Sequence, residues 1–105
     1  RTLASLKKML GHENKTLDVL KMDIETYEWP ILKNMLKDGS LKYIKQLPME
    51  WHIFPNEPMR TEFRSMYQTY LDLRKMGLRL FYIKFGALRH SRLFFNLQTD
   101  TTFVN

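Results

Sequence analysis

Cysteine is absent from this 105-residue chain, which excludes disulfides and thiolate metal sites. Glycine is scarce. Gly11, Gly39, Gly77 and Gly86 stand alone, so the chain holds no G-x-G-x-x-G or similar turn that could cradle a nucleotide. No apolar run approaches the roughly 18 residues of a membrane span, and no signal-peptide pattern is present. Acids are missing from one whole stretch. Between Arg74 and Arg92 lie Lys75, Arg79, Lys84 and Arg89 and no Asp or Glu. An initiator Met is also lacking; with Arg1 first, the chain reads as a piece of a longer protein.

What is there describes an ordinary globular domain. Residues are 44% hydrophobic, 13% aromatic and 27% charged, with a net charge of +6. The positive excess suits an anionic partner, but it alternates with core-type residues as a solvated strand exterior does, and no nucleic-acid motif accompanies it. No nucleic-acid partner is therefore predicted. Asn14-Lys15-Thr16 is a glycosylation sequon, a slight pointer to a secretory or membrane-anchored parent.

Helix and strand signals alternate along a single domain, residues 1–105, which indicates α/β architecture. Thr2 to Leu10 reads as a short helix with Thr2 as cap and Gly11 as stop. Leu17 to Ile24 reads as a strand that runs into acids. Glu28 to Asp38 reads as a helix with Pro30 in its first turn and Gly39 after it. Lys45 to Ile53 is a second strand, in which Pro48 removes a ladder donor and implies a bulge or a locally unpaired stretch. Met59 to Met76 is the longest helix. Leu78 to Phe85 and Arg92 to Leu97 form a closing antiparallel pair joined by 86–91. Strand, helix and strand in succession require a parallel pair, so the sheet is mixed and four-stranded with flanking helices.

In open α/β sheets ligands collect at the carboxyl ends of the parallel strands. Two polar clusters fall there: Asp23, Glu25 and Glu28 after the first strand, Glu50 and His52 near the end of the second. Asp23 and Glu25 project the same way if the strand continues that far. Paired carboxylates can bind a divalent cation or share a proton, but no third ligand is evident, so no metal is predicted. His52 is the candidate general base, because an imidazole exchanges protons near neutral pH. The bland alternatives are a structural histidine, a Glu28 that merely complements a helix N-terminus, and Trp29 and Trp51 as core packers.

The segment Leu20-Lys21-Met22-Asp23-Ile24-Glu25-Thr26-Tyr27-Glu28-Trp29-Pro30 resembles a hallmark of the FkbM-like methyltransferases, especially their animal methyltransferase-like branch. That hallmark runs Lys-hydrophobic-Asp-hydrophobic-Glu-Gly into a Glu-Trp helix start. Pro48-Met49-Glu50-Trp51-His52 is similar to the family's next strand, hydrophobic-Glu-hydrophobic-His. The resemblance implies the C-terminal half of a Rossmann-like class I methyltransferase sheet, strands 4 to 7 in the order 4-5-7-6, with strand 7 antiparallel. It implies S-adenosylmethionine as cofactor, Asp23 and Glu25 at the cofactor–substrate boundary, and Asp23, Glu25 and His52 as catalytic residues. The activity implied is methyl transfer to oxygen or nitrogen of an unidentified acceptor, with a missing N-terminal half-domain as partner and an open strand edge prone to self-association. Thr26 stands where the family has Gly. A β-branched residue tolerates positive φ poorly, so either the turn is ordinary or the site has drifted. The competing function is a non-catalytic interaction module on a degenerate methyltransferase fold.

Overall fold

Thr2 caps the first helix in the computed structural model, which describes residues 1–86, 89–91 and 94–105, with side chains described for 1–86 and 98–105. The Thr2 hydroxyl accepts a hydrogen bond from the Ser5 amide at 3.1 Å and opens α1, Leu3–Met9. After a turn comes β1, Leu17–Val19, then α2, Glu28–Asp38. Gly39 ends α2 at φ +77°, a conformation that glycine adopts without steric cost. A 3₁₀ turn, Ser40–Tyr43, leads into β2, Ile44–Ile53, and a second, Arg60–Glu62, leads into α3, Phe63–Lys75. The chain finishes with β3, Arg79–Phe85, the short β4, Arg89–Ser91, and β5, Phe94–Val104. No helix among the described residues is long and apolar enough to cross a membrane.

The strands pair in the order β1-β2-β5-β3, with β4 on β5. β1 runs parallel to β2, with Leu17 beside Ile44 and Val19 beside Gln46. β5 runs antiparallel to both β2 and β3. The sheet is α/β and mixed, and its order agrees with the expected 4-5-7-6 pattern, with the last strand inserted between the second and third. α2 and α3 touch, so they share one face. Leu32 and Met35 of α2, Leu73 of α3, Leu47 and Met49 of β2 and Phe103 of β5 are buried together there.

Pro48 sits in β2 in register with Thr102 of β5, so that ladder is continuous and no bulge forms. The interruption falls on the other side. The Leu20 amide donates to the Gln46 carbonyl, the Met22 amide to the Pro48 carbonyl, and the Glu50 amide to the Met22 carbonyl. The donor that Pro48 lacks would lie between these contacts, facing β1. The β1 ladder accordingly breaks after Val19 and resumes as an isolated bridge between Met22 and Met49.

The final strand differs from expectation. It begins at Phe94 rather than at Arg92 and runs on to Val104; residues 92 and 93 lie outside the described set. Thr99 to Thr102 look polar and loop-like in sequence, yet β-branched side chains favour extended backbone, and both β2 and β3 supply partners. At Gly86 a Cβ would lie 2.7 Å from the Gln98 carbonyl oxygen, so the backbone crossing there requires glycine.

Candidate functional site

The parallel pair ends in a sharp turn. Glu25 and Thr26 carry φ values of +52° and +75°, so the left-handed turn is present although Thr26 replaces the glycine that suits it. A β-branched residue held there stores roughly 1–2 kcal/mol of strain, and the strain persists because Thr26 is buried by its surroundings. The turn delivers Glu28 into the first turn of α2 and leaves Asp23 and Glu25 exposed above the strand ends.

Glu28 is fully buried and does more than complement the helix N-terminus. Its Oε1 accepts the Ile24 amide at 2.8 Å and lies 3.0 Å from His52 Nδ1. A carboxylate acceptor fixes the proton on Nδ1 and leaves the Nε2 lone pair free. The Glu28 Oε2 has no hydrogen-bond partner among the described residues. Trp29, next in the helix, donates its indole N–H to the His52 carbonyl at 3.0 Å and packs at a 44° tilt against Trp51 with ring centroids 4.4 Å apart. Trp51 in turn donates to the Thr101 hydroxyl at 2.6 Å. The two tryptophans are packers, as expected, and they also clamp the backbone that carries His52.

His52 is buried, its ring edge set against Phe54 at 5.6 Å. Its Nε2 lies 3.9 Å from Glu50 Oε2. One ligand atom from each of Asp23, Glu25 and His52 falls within 4.8 Å of the others. The three residues singled out in the sequence therefore meet at one point. His52, 27 residues beyond Glu25 in the chain, is brought to the two acids by strand pairing.

Glu50 completes the rim, and its role is the one the sequence concealed. Its carboxyl is raised above the usual carboxylate range, first by burial, then by the close approach and charge of Asp23 and by the charge of Asp100; His52 acts in the opposite sense. Asp100 sits directly across from Glu50 in the β2–β5 register. The Glu-x-His spacing was the available signal, since residues two apart on a strand share a face. Beside the rim, a cavity of about 550 Å³ opens between α2 and α3, lined among others by Thr26, Tyr27, Trp29, Lys33, Met59 and Thr69.

A family model described as a methyltransferase domain matches residues 1–92. The chain is similar to probable methyltransferase-like protein 24 of Rattus norvegicus, 32% identical over 98 aligned positions that cover 74% of this chain and 26% of the relative. Its human counterpart, also a probable methyltransferase-like protein 24, is 32% identical over 87 positions, covering 78% of this chain and 23% of the relative. The chain thus spans about a quarter of the length of these curated relatives. No solved structure matches it.

Proposed function

The chain belongs to the methyltransferase-domain family, and from that premise we propose that its acid–imidazole rim is part of an S-adenosylmethionine-dependent site that methylates oxygen or nitrogen of an acceptor. The observation that carries this reading is the convergence of Asp23, Glu25 and His52 at the carboxyl ends of a parallel strand pair. The residues fit the cationic end of that cofactor. Exposed carboxylates attract a sulfonium or ammonium group, and a positive charge there would relieve the crowding that raises Glu50.

When bound, S-adenosylmethionine supplies an electrophilic methyl group. The chain's own residues hold and orient. Asp23 and Glu25 bind at the cofactor–substrate boundary. His52, its Nδ1 proton tied to Glu28, offers Nε2 to the proton of the acceptor. The cavity beside Thr26 gives the acceptor room, and the clamp of Trp29 on the His52 carbonyl keeps the base in place, so that catalysis is largely positioning. The retained left-handed turn at Thr26 favours a working site over a degenerate one.

Calorimetric titration of the intact protein with S-adenosylmethionine is the test. Saturable binding, weakened by Asp23→Ala, supports the reading; no binding removes it. A purely interacting module would instead tolerate His52→Ala and Asp23→Ala and lose its partner on charge reversal at Arg79.

A further inference from the structure

His52 has one nitrogen committed and one idle. Nδ1 is tied to the buried Glu28 carboxylate at 3.0 Å, whereas Nε2 makes no hydrogen bond among the described residues and lies 3.9 Å from Oε2 of the half-buried Glu50. The side chain is only 3% exposed, so the idle nitrogen is held in one orientation. Imidazoles that ligate metals characteristically donate their other N–H to a carboxylate, which fixes the tautomer and raises ligand basicity. The acids opposite complete a donor set: one oxygen each from Asp23 and Glu25 lies with a His52 nitrogen inside a 4.8 Å circle.

We infer that Asp23, Glu25 and His52 form a divalent-cation site of mixed oxygen and nitrogen type, suited to Mn²⁺. An ion with ligand bonds of about 2.1 Å spans donors roughly 3–4 Å apart, so small rotations of the two exposed carboxylates close the set. The chain has no thiolate to favour a soft metal, and one imidazole among carboxylates suits Mn²⁺ better than Mg²⁺ or Ca²⁺, which prefer all-oxygen shells. The buried nitrogen anchors the ion from the protein side, and the exposed acids leave its solvent side open. Each carboxylate keeps a second oxygen for other work. Glu50 near His52 and Asp100 across the strand line the acidic side of the site, while Lys21 Nζ, 3.9 Å from Asp23 Oδ2, competes weakly from an exposed position.

The ion's task, to hold and polarise an acceptor oxygen through its open positions, rests on the methyl-transfer reading. Its binding does not. An imidazole that holds the ion is not free to take a proton, so with the ion bound the acceptor is activated by the metal in place of the His52 base, and without it by His52.

The test is titration of chelator-treated, desalted intact protein with MnCl₂, followed by the electron paramagnetic resonance signal of free Mn²⁺. One equivalent binds saturably per chain. Glu25→Gln, an exposed change that spares the fold, weakens binding at least ten-fold, and so does His52→Ala. Glu28→Gln weakens it about ten-fold through loss of the orienting carboxylate. Absence of Mn²⁺ binding, or binding that Glu25→Gln and His52→Ala leave unchanged, overturns the site. Methyl transfer insensitive to chelator would then leave the proposed function standing without the ion. Mn²⁺ binding by a protein that takes up no S-adenosylmethionine would keep the site and remove the function.

Discussion

Two regions of the sheet, around β2 and along β3, are built on opposite terms. Around β2, apolar side chains are buried against α2 and α3, and the polar ones that remain are tied to one another. Along β3, every residue from Arg79 to Phe85 is exposed, and Phe81 and Phe85 reach 76%. Yet β3 is the more apolar run, with Leu80, Phe81, Tyr82, Ile83 and Phe85 in seven positions. Apolarity of sequence therefore does not locate the core here; the helices do. The site lies where helices cover the sheet, because a buried imidazole–carboxylate pair holds its geometry only in a packed setting.

The sharpest way to break this contrast is to truncate one side chain in each region. Leu47→Ala removes a fully buried side chain from β2 and should cost about 3 kcal/mol in chemical denaturation, whereas Phe81→Ser should stay within about 0.5 kcal/mol. Equal costs would show that β3 is packed in solution. Next in size is Glu28→Ala, which strands the Ile24 amide and the His52 Nδ1–H in a buried pocket. A loss of about 2 kcal/mol is expected, read from the same denaturation curves.

Thr26→Gly tests whether the packed region stores strain. Relief of the left-handed conformation should raise stability by roughly 1 kcal/mol, seen as a higher Tm. The smallest effect concerns pH. A raised carboxyl contributes stability that is fully present below its unfolded value of 4.5 and is lost as pH rises through its higher folded value. Glu50→Gln should therefore flatten the decline of stability above pH 4.5, with no matching change for an acid on the open surface. A steeper decline in the variant would reverse the assignment of Glu50 as the crowded group.

Much of this was legible in the sequence, for reasons that can be named. α2 is bounded as expected because Pro30 and Gly39 punctuate it chemically. The meeting of Asp23, Glu25 and His52 was legible from the strand ends; alternation did not supply it, because the strand stops at Val19 and Glu25 lies in the left-handed turn. Two things escaped. β5 extends seven residues past Leu97 because its Thr-rich end is held by pairing on both sides, information that lies in β2 and β3 rather than in β5 itself. The roles of Glu28 and Glu50 depend on side chains meeting across 24 residues of chain or across strands, and no local pattern encodes that. The basic residues Arg89 and Arg92 belong to the positive stretch noted in the sequence; Arg92 and the Arg89 side chain lie outside the described set.

Pro48 gives the rim one fixed wall and one adjustable wall. His52 stands on a strand zipped without interruption to β5, while Asp23 and Glu25 hang beyond the gap that the proline leaves in the β1 ladder. Among the described residues, the segment from Leu20 to Glu25 past that gap is fastened to β2 only through Leu20 and Met22 and to Glu28 only through the Ile24 amide, so it carries fewer backbone bonds than the strand beneath the imidazole. Amide hydrogen exchange should accordingly run faster at 20–25 than at 49–53, and guest binding should narrow the difference.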